Sequence, residues 1–342
     1  MKETQETTQA TLFDAVQPEG KPEKLPFVSE DMSNEDYHRG EWQKEFISST
    51  QIKRYLVSPK YFQFIRENPD ADTVGLEASM QGSVYHAMLA SLVNKGDLMS
   101  DFKNEFFVFE PPVNPKTGKP YGIDSNAYRE VYEQALLDHP GMSATSEAEV
   151  DKAKAMINCL LNACGRTSNQ VKQLIEWGTA ETSFFVEYQG WGFKVRTDLQ
   201  TQNKIVDWKT ISAGDLHQST IVKQINKLHY GISAAFYQFF IHEITGQWKE
   251  FYWVFQQKEA PYDAVLVSAN DIAYSYNEEQ EYLRKGPAAV QFEMLLSQHL
   301  KCHDTGYFPG AEVFILPSFS GNRIMYAQPN RFAEIDTTFF ND

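Results

Sequence analysis

The stretch KVRTDLQTQNKIVDWKTIS, from Lys194 to Ser212, places charged side chains inside two runs that otherwise have the composition of buried β-strands. Asp198 lies near the end of the first run, and Asp207 and Lys209 lie within the second. An unpaired charge in a protein core costs several kcal/mol, or its pKa shifts until the group is neutral. Carboxylates are the oxygen ligands that hard divalent cations prefer, so we predict that this stretch holds a metal ion.

Strand geometry brings the charged groups of the second run together. Residues i and i+2 of a strand point to the same face, so Asp207 and Lys209 project together while Trp208 packs on the other side. The backbone carbonyl of Trp208 then remains close to the predicted ion. A hairpin through residues 200–203 can bring Asp198 beside Asp207. We therefore expect two carboxylates and one ammonium group to share a single patch.

A third carboxylate and a simpler alternative both bear on this site. Glu181, at the start of the preceding β-rich run, is the candidate third carboxylate. An Asp-x-Lys triplet is common, however, and on its own it is typical of a surface hairpin whose charges are solvated or form weak salt bridges. The triplet indicates a functional site only when other groups converge on it.

The remaining pattern predicts helices around a short central sheet. Helical spacing of apolar residues or helix-capping signals occur in the segments 46–68, which Pro59 divides into a helical hairpin, 77–95, 126–139, 147–176, 223–244 and 277–303. The β-rich runs are 182–189, 192–200, 204–212, 248–257 and 263–269. The first three runs are joined tightly, as in an antiparallel meander. We therefore predict an α/β (α+β) fold with a central mixed sheet flanked by helices.

Length and composition indicate a globular protein with a polar leader. The 342 residues are 42% apolar, and the net charge of −15 argues against a uniformly basic surface for nucleic acid. Residues 1–45 carry eleven acidic and five basic side chains, so we predict a disordered leader at 1–45 and one domain at 46–342. No apolar run is long enough to span a bilayer and no secretory signal is present, so we expect a cytoplasmic location and no membrane partner.

The order of polar residues along the chain resembles the RecB-like branch of the PDDEXK nucleases, and in particular the RecE, or exonuclease VIII, family. The resemblance extends over about residues 46–318. The elements that carry it are Gly82-x-x-x-His86, Glu181, Asp198, Asp207-x-Lys209 followed by Thr210, and a helix with Tyr230 and Tyr237. Each motif is weak alone, but their order and spacing together are specific. The resemblance implies a PDDEXK core like that of restriction endonucleases.

The resemblance also implies a role for each matching residue. The metal ligands would be Asp198, Asp207, the Trp208 backbone carbonyl, His86 and Glu181. Lys209 would orient or activate the attacking water and stabilise the charge that develops on the phosphate. The expected cofactor is Mg²⁺, with Mn²⁺ as a substitute and two ions bound. Without this context, a lone helical histidine such as His86 is more often a structural residue.

One position departs from the family pattern. The family's final helix has Gln-x-x-x-Tyr, whereas this chain has Ser233-Ala-Ala-Phe-Tyr237. Serine is too short for the same reach. Substrate positioning by Ser233, Tyr237 and the nearby Tyr230 is therefore expected to differ, or Gln238 to replace the missing glutamine. The alternative for the two tyrosines is simple packing in an aromatic core.

The resemblance implies a metal-dependent exonuclease that degrades linear double-stranded DNA. It would act from 5′ to 3′, leave 3′ single strands for an annealing protein, and form a ring-like homo-oligomer. A Cas4-like enzyme or an endonuclease is the alternative, although Cys159, Cys164 and Cys302 do not form the cysteine set of an iron–sulfur Cas4. A second alternative, suggested by Ser233, is a DNA-binding module that has lost catalysis.

Two weaker signals concern partners. In the leader, QATLFDA resembles the peptide by which bacterial proteins dock on the replication sliding clamp, with Gln9, Leu12 and Phe13 as contact residues. Such a short match in a tail also arises by chance. The basic side chains that could contact DNA phosphates are Lys53, Arg54, Lys60, Lys223 and Lys227. Most lysines at such places are merely solvated.

Overall fold

The computed structural model describes residues 24–39, 44–71 and 80–311. Its helices are α1 (Asn34–Arg39), α2 (Ser49–Ile52), α3 (Pro59–Glu67), α4 (Met80–Lys95), α5 (Phe102–Glu105), α6 (Asn126–Asp138), α7 (Glu147–Asn162), α8 (Arg166–Glu176), α9 (Gln218–Lys227), α10 (Tyr230–Thr245) and α11 (Pro287–Thr305). Its strands are β1 (Phe27–Ser29), β2 (Phe46–Ile47), β3 (Phe106–Val108), β4 (Ser143–Thr145), β5 (Thr179–Tyr188), β6 (Trp191–Gln200), β7 (Lys204–Ile211), β8 (Glu250–Gln257), β9 (Ala264–Ser268), β10 (Tyr274–Asn277) and β11 (Tyr282–Lys285). A 3-10 helix, Lys53–Leu56, continues α2. Among these described helices, none combines the length and hydropathy needed to cross a membrane.

The main sheet of the described residues is mixed. Its strand order is β1-β5-β6-β7-β8-β9, with β2 added to β6. Strands β5, β6 and β7 are antiparallel to one another in turn, which confirms the predicted meander. Strand β8 is parallel to β7, and the chain returns between them through α9 and α10, because parallel neighbours need a crossover connection. Helices cover the sheet, so the predicted fold class is confirmed.

Two hydrophobic cores hold the helices to the sheet. The first joins α10 and α11 to the sheet, with Phe236 and Phe240 of α10 packed on Phe193 of β6. The second joins α4 and α7 to the sheet and contains Trp208 of β7. Helix α7 faces this core with apolar residues three or four positions apart, as one helix face requires: Val150, Ala153, Met156, Ile157 and Leu160.

Strands β6 and β7 separate soon after the turn that joins them. They pair only beside the turn, residues 199–200 with 205–206, whereas β7 pairs with β8 along its whole length. Farther back along β6, strand β2 pairs with it in parallel. Asp198 and Asp207 are the first residues beyond the paired part. The gap between the two strands therefore opens where the sequence predicts the metal site.

The boundary of the leader differs from the prediction. Within the segment expected to be disordered, β1 pairs with β5, and α1 follows it. Met32 and Tyr37 are buried, and they form a small core with Phe46 and Phe185. These few apolar residues and the β1–β5 pairing help to hold 24–39 on the sheet, although the segment is polar on average. Residues 1–23 lie outside the described residues.

Three predicted helices have different limits in the structure. The segment 147–176 is divided into α7 and α8 at Gly165, whose φ of +58° lies in the left-handed region that favours glycine. The segment 223–244 is divided into α9 and α10 at His229, which also has a positive φ. The last helix begins only at Pro287, because the chain before it forms the β10–β11 hairpin.

Candidate active site

Asp207 and Lys209 point to the same side of β7. Lys209 Nζ donates to Asp207 Oδ1 at 2.7 Å. The side chain of Trp208, between them, is 2% exposed and lies in the core formed with α4 and α7. This alternation is what strand geometry predicted. The pair remains accessible, since the Lys209 side chain is 22% exposed.

Asp198 lies across the gap between β6 and β7. Its Oδ2 accepts a hydrogen bond from the backbone N–H of Trp208 at 2.7 Å. This side-chain bond takes the place of a backbone hydrogen bond between β6 and β7, which do not pair at this point. In an extended strand the N–H and C=O of one residue point to the same side. The carbonyl of Trp208 is therefore also directed toward β6 and the gap. The structure thus brings the two aspartates and this carbonyl together.

The two aspartates are close enough to influence each other's ionisation. Burial, and then the charge of Asp207, raise the pKa of Asp198 well above its ordinary value. Burial acts to lower the pKa of Lys209, but Asp207 and Asp198 outweigh it, so this pKa is raised and Lys209 is a cation at neutral pH. One ammonium faces two carboxylates. A bound cation would lower the pKa of Asp198 again and balance the negative charge that its ionisation adds.

His86 adjoins Asp198 from helix α4. Its Nδ1 lies 3.5 Å from Asp198 Oδ2. Burial, and then the charge of Lys209, lower the pKa of His86 to about 4. The imidazole is therefore neutral at physiological pH, which is the form that binds metal ions. The structure places this residue where the sequence predicts it.

Glu181 lies near the aspartates, but its carboxylate is directed to Arg196. Arg196 Nε donates to Glu181 Oε2 at 2.5 Å, and its Nη1 donates to the carbonyl of Ser33 at 3.1 Å. Glu181 has a φ of +57°, which is uncommon for a residue with a long side chain, and its position is missing from the β5–β6 pairing. Its charge still helps to raise the pKa of Asp198. In this arrangement Arg196 neutralises Glu181.

The donor groups at the gap fit a hard divalent cation. Asp198, Asp207 and the Trp208 carbonyl supply oxygen ligands, which Mg²⁺ and Mn²⁺ prefer. Within the residues that the structure describes, no three His, Cys, Asp or Glu side chains are gathered as a complete metal cluster. An ion held here would also use water or substrate oxygens, as Mg²⁺ usually does.

Three residues of α10 lie opposite the aspartates. The ring of Tyr230 is 4.9 Å from Lys209 Nζ, a cation–π contact. Burial raises the pKa of Tyr237 well above its ordinary value, and the nearby charges of the two aspartates raise it further. Ser233 Oγ accepts a hydrogen bond from Lys53 Nζ at 3.0 Å. Both tyrosines also pack against the first core, so the structure agrees with the site position and with the alternative of aromatic packing.

Gln238 does not replace the missing glutamine. It is 2% exposed, and its amide donates to the carbonyls of Lys249 and Tyr274 at 2.8 and 2.9 Å. Its Oε1 accepts from the N–H of Tyr274 at 3.0 Å. The side chain is one residue beyond Tyr237, so it points to the interior and connects α10 to β8 and β10. The prediction of a substrate contact for Gln238 is therefore wrong.

The Gln238→Leu change should destabilise the fold. Leucine would leave three buried backbone groups without partners, and each costs about 1–3 kcal/mol. We expect the free energy of unfolding to fall by roughly 3 kcal/mol or more, measured by urea denaturation. Gln134→Leu on the exposed α6 is the control, and it should change stability by less than about 0.5 kcal/mol. Equal stability of the two variants would contradict the structural role of Gln238.

The other predicted DNA contacts are dispersed. Lys60, Lys223 and Lys227 are exposed. Arg54 is 3% exposed, so its side chain is not available for the predicted contact with DNA. Lys53 lies at the site beside Ser233. The proposed clamp-binding residues, Gln9, Leu12 and Phe13, lie outside the described residues.

Sequence reasoning missed the basic residues that precede Asp198. Lys194 Nζ donates to the carbonyl of Tyr37 at 2.7 Å, and Arg196 binds Glu181. Lys194, Arg196 and Asp198 alternate along β6, so the period of two could have shown that they share a face. Their backbone partners Ser33 and Tyr37 had no such signal, because both come from the segment expected to be disordered.

Comparison with known proteins yields a family, and solved structures with a similar fold. No curated protein matches the chain. A crystal structure of a protein from Eubacterium rectale, described provisionally as an exonuclease, has a TM-score of 0.48 and 14% identity, covering 87% of this chain and 96% of that one. The model of the family described as "PDDEXK-like domain of unknown function (DUF3799)" matches residues 48–311. This match spans most of the chain and includes the whole site, and the chain therefore belongs to that PDDEXK-like family.

Proposed function

We propose that this protein is a metal-dependent nuclease that hydrolyses phosphodiester bonds in DNA. The observation that carries the proposal is the meeting of Asp198 and Asp207 across the gap between β6 and β7, with the Lys209 ammonium beside them. A hard cation and a positive side chain at one accessible point are what phosphodiester hydrolysis requires. Membership of a PDDEXK-like family supports the same conclusion.

Each side chain has a defined task in this proposal. Asp198, Asp207 and the Trp208 carbonyl hold Mg²⁺ or Mn²⁺, and neutral His86 keeps Asp198 in place or adds a ligand. When bound, the metal ion supplies Lewis acidity at the phosphate and lowers the pKa of water. Lys209, fixed as a cation by Asp207, stabilises negative charge on the phosphate and orients the attacking water. Glu181 contributes only if it leaves Arg196.

The finer proposal is an exonuclease that acts on linear double-stranded DNA. The resemblance to the RecE family supports 5′ to 3′ digestion that leaves 3′ single strands for an annealing protein. It also supports two bound ions and a homo-oligomeric ring. A ring would reconcile the net charge of −15 with DNA binding, because only its inner channel needs a positive potential.

End-labelled DNA tests both the activity and its polarity. We expect the full-length protein with Mg²⁺ or Mn²⁺ to release label from the 5′ ends of linear duplex DNA, and EDTA to stop the release. Closed circular DNA should remain intact. Release from 3′ ends first would reverse the polarity, and cutting of the circle would favour the endonuclease alternative. Binding of duplex DNA without cutting of either substrate would favour a module that has lost catalysis.

A further inference from the structure

Lys53 places a second ammonium group at the site. It begins the 3-10 helix after α2, and its side chain reaches α10. Its Nζ donates to Ser233 Oγ at 3.0 Å and to the carbonyl of Leu228 at 3.5 Å. Both acceptors are neutral, and no carboxylate of the described residues lies within salt-bridge distance of Lys53. Within the described part of the chain, its positive charge therefore has no salt-bridge partner.

The lack of a salt-bridge partner among the described residues has an electrostatic consequence. Burial, and then repulsion by Lys209, lower the pKa of Lys53 to about 8, and Asp207 offsets only part of this effect. A partly buried cation is stable only when an anion or several polar acceptors replace its lost hydration. Lys209 forms a salt bridge with Asp207, whereas Lys53 has only neutral hydrogen-bond partners among the described residues. The two ammonium groups of Lys53 and Lys209 therefore favour the binding of one further negative charge between them.

The surroundings of Lys53 favour an anion from outside the chain. Lys53 remains partly exposed, so a ligand can reach it. His229 is the residue before α10, and its side chain does not cap the helix. Burial, and then the charge of Lys53, lower the pKa of His229, so the two side chains are close to each other. The first N–H groups of α10 and the positive end of its dipole thus lie on the same side as Lys53. The phosphate is the anion that a nuclease substrate brings.

Ser233 accounts for the position of Lys53. Serine at this place is too short to reach the aspartates, but its hydroxyl holds Lys53, which is close enough to Asp207 and Lys209 to respond to their charges. The long side chain comes from the 3-10 helix and the short one from α10. The pair presents one hydrogen-bond donor, the Lys53 ammonium, to the site. A longer polar side chain at position 233 of α10 could present a donor there by itself.

We propose that Lys53 binds the DNA phosphate that is hydrolysed or its immediate neighbour, and that Ser233 is the positioning residue that holds Lys53 there. This inference rests on the proposed nuclease function. It adds a phosphate-binding residue to the site and explains how the chain works with serine at position 233.

Two measurements on the full chain test the inference. The first is the single-turnover rate of cleavage of linear duplex DNA with Mg²⁺, at saturating protein. Lys53→Met should reduce the rate by about 10²-fold, the usual cost of losing one donor to a developing charge, and Lys53→Arg should restore part of it. Lys301→Met, at an exposed position of α11, is the matched control and should cleave at the native rate.

The second measurement is DNA affinity in EDTA as a function of salt. Each phosphate contact contributes about 0.9 to the slope of log affinity against log salt concentration. Lys53→Met should reduce the slope by about this amount, while Lys301→Met should leave it unchanged. Ser233→Ala should slow cleavage in the native background but not in the Lys53→Met background, because its effect passes through Lys53.

The outcomes separate the inference from the proposed function. If the protein cuts DNA and Lys53→Met matches Lys301→Met in rate and salt slope, the inference is wrong and the nuclease function stands. If the protein binds DNA without cutting it, the nuclease function fails and the salt slope alone decides whether Lys53 contacts phosphate. If it neither binds nor cuts, both are overturned. Equal effects of Ser233→Ala in both backgrounds would remove Ser233 from the proposal.

Discussion

Replacing Asp207 with asparagine is expected to reduce metal-dependent DNA cleavage by at least about 10³-fold. A bound metal ion supplies several kcal/mol of transition-state stabilisation, and about 1.4 kcal/mol is a factor of ten in rate. Asparagine keeps the shape of Asp207 but removes the charge that faces Asp198 and holds Lys209. Asp304→Asn, at an exposed position of α11, is the control and should retain full activity.

Metal binding can be measured separately from turnover in the same variants. A ligand that binds only the folded state raises the melting temperature, so Mg²⁺ or Mn²⁺ should stabilise the native protein. Asp207→Asn should lose this stabilisation, and Asp304→Asn should keep it. Full metal-dependent stabilisation of Asp207→Asn would place the ion elsewhere in the chain.

Replacing Arg196 with methionine is expected to lower the free energy of unfolding by about 2–4 kcal/mol. Arg196 is 9% exposed, and its loss leaves the carboxylate of Glu181, which is 25% exposed, without its partner. Removal of one partner of a buried ion pair is strongly destabilising, because the other charge remains uncompensated. The change also removes the hydrogen bond to Ser33, which holds the N-terminal segment on the sheet. Arg129→Met, on exposed α6, should have an effect below about 0.5 kcal/mol.

A double variant shows what Glu181 does. If its main contact is Arg196, then Glu181→Gln together with Arg196→Met should recover part of the stability lost in Arg196→Met, measured by urea denaturation. Glu181→Gln alone should keep the metal-dependent rise in melting temperature. Loss of that rise would instead identify Glu181 as a metal ligand and contradict its assignment to Arg196.

The local pattern of the chain was sufficient to predict the centre of the site. The period of two in the run around Asp207 correctly put Lys209 on the same face and Trp208 on the opposite face. A short turn made β6 and β7 neighbours, so Asp198 was correctly placed near Asp207. These relations depend on residues a few positions apart, and strand geometry alone determines them.

Contacts between distant parts of the chain were not predictable in this way. Gln238, one residue from Tyr237, points away from the site, because a helix turns about 100° per residue and the backbone of Lys249 and Tyr274 needs its amide. The buried residues of 24–39 could not be recognised, since few apolar side chains in a polar segment resemble the composition of a disordered tail.

The sequence by itself determined the meander, the alternation around Asp207 and the residue types that a hard cation needs, because these follow from short-range geometry and from side-chain chemistry. Only the tertiary structure decided how the charges are paired. It separated β6 from β7 to open the gap, assigned Glu181 to Arg196, and left Lys53 with neutral partners. Partner choice depends on which side chains meet in the folded state and on how much water each one loses, and neither quantity is encoded in local spacing.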